Sequence, residues 1–249
     1  MIAQLPKPML EPSSSPTQTP VLTPQCPHGM PTQTTLQRMT HMTHHPRLND
    51  HGQPVSIHSP SQASPLANWL DPDAFACVVP DGPMPEQLHG VPFERWYAAS
   101  ARPQEWEALA KQHWIEEPDF VVPAGFKRTA AGAVVQEPDG RIWLVAPSNQ
   151  FGGYKATFPK GTLEGKSTQA TALMEVFEET GLQIRLKRHL VDVPRSASFT
   201  RYYLAERLSG YPGDMCWESQ AVMLVPVNQL MQHLNNQLDW AIVEAIKAL

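Results

Sequence analysis

Three glutamates lie within five positions of one predicted helix. Glu175, Glu178 and Glu179 follow the i, i+3, i+4 spacing that places side chains on one helical face. Like charges at this spacing repel one another by roughly a few tenths of a kcal/mol per pair in water. The repulsion grows near a sheet, where less solvent is present. A divalent cation would offset it, and oxygen ligands favour Mg²⁺ or Mn²⁺. The alternative is an acidic face that points into solvent.

The sequence on either side of the glutamates favours the cation. The preceding stretch "FGGYKATFPKG", residues 151–161, is rich in glycine and carries a lysine just before the helix. Ser167 or Thr168 would begin the helix as its N-cap, and Gly181 would end it. Mg²⁺ commonly joins protein carboxylates to substrate phosphates. A loop, a lysine, a helix and an acidic triplet therefore predict a diphosphate site.

Short strands surround this helix, and further helices follow it. We predict strands at "TAAGAVVQ" and "RIWLVAP", which a turn "EPDG" separates, and later at "LQIRLKRHLVDV", "FTRYYLAERL" and "SQAVMLVPV". The stretches "VNQLMQHL" and "LDWAIVEAIKAL" have the spacing of closing helices. This order predicts a mixed α/β domain over residues 124–249.

The first half of the chain has a different composition. Residues 1–65 hold 12 of the 26 prolines and few large apolar side chains, so we predict that residues 1–64 are disordered. Residues 65–123 are predicted to be a helical accessory segment. In it, "PEQLHGVPFERWYAASA" and "RPQEWEALAKQHWI" each have helical spacing, and Pro103 suits a helix start. Three residues there pack in a core or line a ligand pocket: Trp106, Leu109 and Trp114.

Charge and hydropathy exclude several classes of function. The net charge is −5, with +1 in residues 1–64 and about −6 in the rest. The sequence shows no basic patch, so we do not expect a nucleic-acid partner. The sequence contains no run of about 20 apolar residues, so we predict no membrane span and expect a cytoplasmic protein. The Ser/Pro/Gln-rich start resembles the export segments of bacterial effectors and equally resembles a linker, so secretion stays open. No G-x-S-x-G, H-E-x-x-H or P-loop pattern is present.

Residues 161–182 resemble the Nudix box, G-x5-E-x7-R-E-U-x-E-E-x-G-U, in which U is a bulky aliphatic residue. Gly161 matches the first glycine, and residues 175–182 match E-U-x-E-E-x-G-U without a gap. The stretch "GGYKATFPKG" also resembles the lead-in of Nudix proteins that act on diphosphoinositol and dinucleoside polyphosphates. The resemblance covers about residues 126–240. It implies an α/β/α sandwich that hydrolyses a nucleoside diphosphate linked to another group, with divalent ions polarising the diphosphate.

The resemblance also implies roles for the residues of the box. Glu178 and Glu179 would be the main metal ligands, and Glu175 would be a further ligand or would help to deprotonate water. Gly161 would let the loop turn and could offer its carbonyl oxygen to the metal. Many Nudix proteins dimerise, so a homodimer stays open.

Many members of the family use one more glutamate from a later loop or strand. Glu218, in "GDMCWESQAV", is the first candidate and Glu206 is the second. The alternative for each is a surface carboxylate.

The chain departs from the family pattern inside the box. The loop is one residue short, and Lys166 occupies the position of the first glutamate. Met174 replaces the arginine that orients the glutamates in the family, and it cannot donate a hydrogen bond. Glu164 could partly replace the lost carboxylate. We expect a working enzyme, and the alternative is a catalytically weak Nudix domain that binds a phosphorylated ligand or a protein.

Basic and aromatic residues near the box are candidates for substrate binding. Lys160 adjoins the box glycine, and Lys155, Arg201 and Arg195 could also contact phosphate, although an exposed lysine or a solvated strand edge is the alternative. Three aromatic residues could stack on a base or pack in the core: Phe151, Tyr154 and Trp217. We expect a small-molecule substrate. ADP-ribose, a dinucleotide such as NADH, a diadenosine polyphosphate and a diphosphoinositol phosphate all stay open.

Overall fold

The computed structural model describes residues 43–97 and 102–249. These residues form nine strands: β1 (Ala76–Val78), β2 (Gln87–Leu88), β3 (Val91–Pro92), β4 (Thr129–Val135), β5 (Ile142–Pro147), β6 (Lys160–Thr162), β7 (Leu182–Pro194), β8 (Phe199–Gly210) and β9 (Ser219–Val225). They also form five α-helices: α1 (Leu66–Leu70), α2 (Pro103–Gln112), α3 (Thr168–Thr180), α4 (Leu230–His233) and α5 (Trp240–Lys247). None of the helices in these two ranges is long and apolar enough to cross a membrane.

Two sheets lie between layers of helices, as predicted for an α/β/α sandwich. The larger sheet has the order β6-β4-β8-β7, in which β4 and β8 are parallel and the other pairs are antiparallel. The smaller sheet has the order β1-β9-β5 and is antiparallel. Alternate residues of β4, β5 and β9 face two cores, of which one includes α3 and the other includes α5.

Helix α3 has the caps that its sequence predicts. The Ser167 hydroxyl accepts a hydrogen bond from the Ala170 N–H at 3.2 Å, so Ser167 is the N-cap. Gly181 follows the last turn with φ 69°, a conformation that glycine adopts without steric cost. Leu173 and Val176 are buried on the core-facing side. The side of the helix that carries Glu175 and Glu179 contacts strand β6.

The accessory segment is only partly helical. Helix α2 begins at Pro103 as predicted, and Trp106 is buried in its core-facing side. The helix predicted over residues 85–101 is wrong for its described part, because β2 and β3 form a hairpin there. His89 and Gly90 both have positive φ values, as a two-residue hairpin turn requires, and this turn outweighs the helical spacing of the apolar residues. Leu109 is partly buried and Trp114 is exposed.

The predicted disordered tail is wrong for residues 43–64, which are folded, while residues 1–42 lie outside the described residues. Backbone hydrogen bonds join His45 N–H to Val55 O at 2.8 Å and Ile57 N–H to Thr43 O at 2.9 Å. Val55 is 2% exposed, and Ile57 and His45 are also buried. A few buried apolar residues are enough to hold such a short segment in place, so its largely polar composition did not indicate that it folds. We call residues 43–58 the N-terminal strap.

The accessory segment also contributes to the smaller sheet. Strand β1 pairs with β9, with Ala76 opposite Leu224 and Val78 opposite Val222. The side chain of Arg141, just before β5, donates to the carbonyl oxygens of Asn68 and Trp69 and so fastens α1 to this sheet. The predicted boundary at residue 124 therefore divides a structure whose parts share one core.

Candidate active site

Three of the predicted carboxylates converge at one place. Glu175, Glu179 and Glu218 each place a carboxylate oxygen within 4.8 Å of the other two. The first two come from α3, and Glu218 comes from the loop just before β9. Glu178 lies beside them. Its charge raises the pKa values of Glu175 and Glu179, and the charge of Glu218 raises the pKa of Glu178. The structure therefore groups the helical triplet with Glu218.

The second candidate for the additional carboxylate lies elsewhere. Glu206 is on β8 and pairs with Arg185 and Lys187 across the β7–β8 edge. Burial raises the pKa of Glu206, but the hydrogen bonds and charges of Lys187 and Arg185 together outweigh it and lower the pKa, which is the opposite of the shift in the clustered carboxyl groups. Glu206 is thus a paired surface carboxylate.

The clustered carboxyl groups have raised pKa values. The pKa of Glu178 rises to about 7 and that of Glu179 to about 8, and the pKa of Glu175 rises well above its usual range. The pKa of Glu218 is also raised. Loss of hydration on burial is the largest cause for the three glutamates of α3, repulsion between carboxylates adds to it, and nearby lysines partly oppose it. Glu218 is exposed to solvent on one side; crowding of its carboxyl group by protein atoms and the charges of Asp50 and Glu164 raise its pKa. The site concentrates negative charge that its own residues do not neutralise.

Strand β6 holds the cluster from the opposite side. Gly161 lies against the Glu175 carboxylate so closely that any β-carbon at this position would overlap it. The Lys160 N–H donates to Glu179 Oε2 at 2.9 Å. Pairing of β6 with β4, in which Gly161 lies opposite Ala131, fixes both contacts. The glycine that opens the box is required here by close approach.

The substituted box positions have different surroundings. Lys166 is 9% exposed, and its ammonium group lies 3.7 Å from Glu164 Oε2. Its positive charge offsets part of the rise in the pKa values of Glu175 and Glu178. The Glu164 side chain is 71% exposed and pairs with this lysine, so Glu164 is not grouped with the three clustered carboxylates. Met174 packs against the apolar core.

The two predicted lysines differ in their relation to the cluster. Lys160 acts electrostatically on Glu179 and Glu218, which places its charge beside the carboxylates. Lys155 is exposed on the loop before β6, and its N–H donates to Asn235 Oδ1 at 2.8 Å. The Lys155 side chain therefore faces solvent near this edge of the fold.

The predicted arginines are occupied within the protein. Arg201 is buried and donates to both carboxylate oxygens of Asp192, at 2.8 and 2.7 Å, and to Pro118 O at 2.8 Å. It fastens the segment before β4 onto β8, so its donors are already used. Arg195 donates to Asp239 Oδ1 at 2.6 Å and to Thr157 Oγ1 at 3.3 Å.

Arg195 and Asp239 belong to a buried polar group that sequence reasoning missed. Among the described residues, Arg195 Nε, Asp239 Oδ2 and Tyr202 OH are buried and have no hydrogen-bond partner. The Tyr202 phenol lies within electrostatic range of Arg195, Asp239 and Glu179, so this group adjoins the carboxylate cluster. Asp239 precedes a helix and Tyr202 lies in a strand pattern, so neither position carried a signal in the sequence.

The three aromatic candidates occupy different environments. Tyr154 is buried, and its ring centroid lies 5.3 Å from the Arg195 guanidinium. Phe151 is 82% exposed at the tip of the loop after β5. Trp217 is half-buried next to Glu218, and its indole N–H donates to Asp50 Oδ1 at 3.1 Å. Phe151 and Trp217 thus offer ring surface close to the loops around the cluster.

Comparison with known proteins identifies the family. The family model described as NUDIX domain matches residues 126–246. Residues 126–246 are a Nudix domain. This domain makes the protein a Nudix-type pyrophosphohydrolase. The match agrees with the resemblance of residues 161–182 to the Nudix box. No curated protein sequence matches the chain.

Several solved structures resemble the Nudix domain. A NUDIX hydrolase from Nitrosomonas europaea has 18% identity and a TM-score of 0.41, and the match covers 49% of this chain and 88% of that one. An ADP-ribose pyrophosphatase from Streptococcus suis has 19% identity and a TM-score of 0.40, with 49% and 90% covered. An Ap4A hydrolase from C. elegans has 18% identity and a TM-score of 0.41, with 49% and 96% covered.

The residues of this Nudix site fit a divalent cation. All its charged donors are carboxylate oxygens, which hard cations such as Mg²⁺ and Mn²⁺ prefer. The backbone of Gly161 lies against the Glu175 carboxylate, with no side chain between them. Burial and mutual repulsion disfavour the ionised carboxylates, and a cation would reverse both effects.

Proposed function

We propose that this protein hydrolyses a diphosphate bond in a nucleoside diphosphate derivative or a related phosphorylated metabolite, with Mg²⁺ or Mn²⁺ as cofactor. The observation that carries the proposal is the convergence of Glu175, Glu179 and Glu218, whose carboxylate oxygens lie within 4.8 Å of one another. Carboxylates forced together in this way bind a hard cation well. We further propose that the protein acts on small molecules in the cytoplasm, in line with its net charge of −5.

Each residue of the site has a proposed role. Glu175, Glu178, Glu179 and Glu218 would hold the ion together with the Gly161 carbonyl. When bound, the ion supplies a polarised diphosphate and a more acidic water molecule. Glu175 could instead accept the proton of the attacking water.

Basic and aromatic side chains around the cluster would bind the substrate. Lys160, whose charge already acts on Glu179, would contact the phosphate oxygens, with Lys155 farther out on the loop that precedes β6. We do not retain Arg201 in this role, because its guanidinium donates to Asp192 and Pro118. The exposed ring of Phe151 would stack on a base or another planar group.

A second candidate function is binding without efficient turnover. The observation that favours it is Lys166, a largely buried cation whose charge acts on Glu175 and Glu178. A fixed positive charge at this place competes with a bound metal ion for the same carboxylates. In this alternative the domain would hold a phosphorylated ligand or a protein.

The experiment that tests the proposal is a Mg²⁺-dependent screen of the full chain. The panel contains ADP-ribose, NADH, a diadenosine polyphosphate and a diphosphoinositol phosphate. We expect phosphorylated products from at least one compound, and loss of about 10²-fold or more in Glu179→Gln. The matched control is Glu206→Gln, which removes an exposed carboxylate outside the cluster. No turnover by a folded protein that still binds Mn²⁺ would favour the binding function instead.

A further inference from the structure

The N-terminal strap is fastened to the loop that carries Glu218. Three hydrogen bonds join them: Arg47 Nη1 to Cys216 Sγ at 3.4 Å, Trp217 Nε1 to Asp50 Oδ1 at 3.1 Å, and the His58 N–H to Gln220 Oε1 at 2.8 Å. Cys216, Trp217 and Gln220 lie two, one and two positions from Glu218. The strap therefore holds the chain on both sides of a clustered carboxylate.

The turn that presents Asp50 is itself fixed. Asn49 Oδ1 accepts hydrogen bonds from the N–H groups of His51, at 3.0 Å, and Gln53, at 2.8 Å. The Gly52 N–H also donates to the Asn49 carbonyl at 2.8 Å. Asp50 is thus placed at the tip of a closed turn, so its carboxylate is a defined anchor for the Trp217 indole.

Glu218 needs an anchor because its position is electrostatically unfavourable. Its carboxylate lies beside those of Glu175 and Glu179, and the charges of Asp50 and Glu164 also repel it. It belongs to a loop outside regular strands. The backbone of this loop has three further supports: the Ser148 N–H donates to Glu218 O at 2.7 Å, the Ser148 hydroxyl donates to Trp217 O at 2.5 Å, and the Cys216 N–H donates to Glu178 O at 2.9 Å. None of these bonds involves the Trp217 side chain. Among the described residues, its only hydrogen bond is to Asp50 of the strap.

We propose that the strap is a positioning element of the active site, in which Asp50 holds Glu218 in the carboxylate cluster through its hydrogen bond to the Trp217 indole. Asp50 is a positioning residue and not a metal ligand. The inference rests on the proposed metal site, and it adds a segment that lies outside the matched Nudix domain, residues 126–246. Groups that orient metal ligands typically change metal affinity about 10- to 100-fold when they are lost.

The test is a titration of the metal-free full chain with Mn²⁺, read by the electron paramagnetic resonance signal of the free ion. We expect Asp50→Ala and Trp217→Phe to weaken Mn²⁺ binding about 10-fold each, because each removes the same hydrogen bond. Asp50→Asn retains an acceptor oxygen and should bind within about 2-fold of wild type. Asp50→Ala should add nothing to Glu218→Ala, since the two share one effect. Glu244→Ala, which alters an exposed carboxylate on α5, is the control.

The outcomes separate this inference from the proposed function. If wild type binds Mn²⁺ and Glu179→Gln does not, while Asp50→Ala binds like wild type, the strap has no positioning role and the metal site stands. If Asp50→Asn is as weak as Asp50→Ala, the charge of Asp50 and not its hydrogen bond acts on the site, and the inference is also overturned. If wild type does not bind Mn²⁺, or Glu179→Gln still binds it equally well, the metal site itself fails.

Discussion

The α-carbon of Gly161 lies against the carboxylate of Glu175, with no space between them for a side chain. Strand pairing fixes the glycine, and the capped helix α3 fixes the glutamate. The loop and the helix of the Nudix box therefore meet at this contact, and the carboxylate can reach the cluster only while position 161 has no side chain.

Gly161→Ala should disable the site. The added β-carbon would displace the Glu175 carboxylate, so we expect a loss of turnover and Mn²⁺ affinity of at least about 10-fold, with about 1–3 kcal/mol of destabilisation from overpacking. Kinetics and urea unfolding measure the two effects. Gly140→Ala is the control, because it strains a residue with φ 88° where no atom lies within 4 Å. Equal turnover in Gly161→Ala and wild type would contradict the close contact.

The metal-free protein should lose stability as the pH rises. Glu178 and Glu179 have folded pKa values of about 7 and about 8, above the ordinary value of 4.5, so the native state binds more protons than the unfolded state in this range. The free energy of unfolding should therefore fall through pH 6.5–8, by at most about 1.4 kcal/mol per pH unit for each group. His45 has a pKa lowered to about 4, mainly by burial, and gives the opposite slope only below about pH 6.5.

Urea unfolding with a chelator at several pH values measures this slope. Glu179→Gln should flatten it and raise the stability of the metal-free protein at pH 8, because an amide removes a buried charge. Glu206→Gln should leave the slope unchanged, since the pKa of Glu206 is lowered by its lysine and arginine partners. A slope of the opposite sign between pH 6.5 and 8 in wild type would show that the cluster is better hydrated than the structure indicates.

The sequence predicted helix α3 and its glutamates well because their signals are local. The caps at Ser167 and Gly181 and the spacing of Glu175, Glu178 and Glu179 all lie within one short stretch, and hydrogen bonds along the helix enforce them. Glu218, which the resemblance to the family suggested, lies close to Glu175 and Glu179, and its role as a metal ligand stays a prediction.

Long-range contacts explain what the sequence did not reveal. Asp50 meets Trp217 across 167 positions, and Arg201 meets the carbonyl of Pro118 across 83, so no local pattern links either pair. Arg201 is of a residue type that often binds phosphate, and only its contact with the half-buried carboxylate of Asp192 shows that its donors are used within the protein. The sequence did not reveal the hairpin of residues 87–92, because its apolar residues have helical spacing. The turn at His89 and Gly90, both with positive φ, pairs the two strands instead.

Lys166 should oppose metal binding. Its ammonium group is largely buried, and its charge acts on Glu175 and Glu178, so Lys166→Gln removes a repulsion between this charge and a bound cation. We expect Mn²⁺ affinity at pH 8.5 to increase about 3- to 10-fold, which corresponds to roughly 1 kcal/mol of electrostatic repulsion. Calorimetric titration measures it. Lys155→Gln, at an exposed position, is the control, and weaker binding in Lys166→Gln would mean that the lysine orders the glutamates instead.

The ion pair of Arg195 and Asp239 should contribute to stability only as an intact pair. The two groups are 2.6 Å apart and buried, and Asp239→Asn leaves the arginine without its counter-charge in a site of low hydration. We expect a loss of about 3–5 kcal/mol in the free energy of unfolding, measured with urea. The exposed pair of Arg185 and Glu206 is the comparison, and Glu206→Gln should cost at most about 1 kcal/mol. The double variant Arg195→Leu, Asp239→Leu should lose less than the sum of the two single variants, because it leaves no unpaired charge; additive losses would show that the two groups act separately.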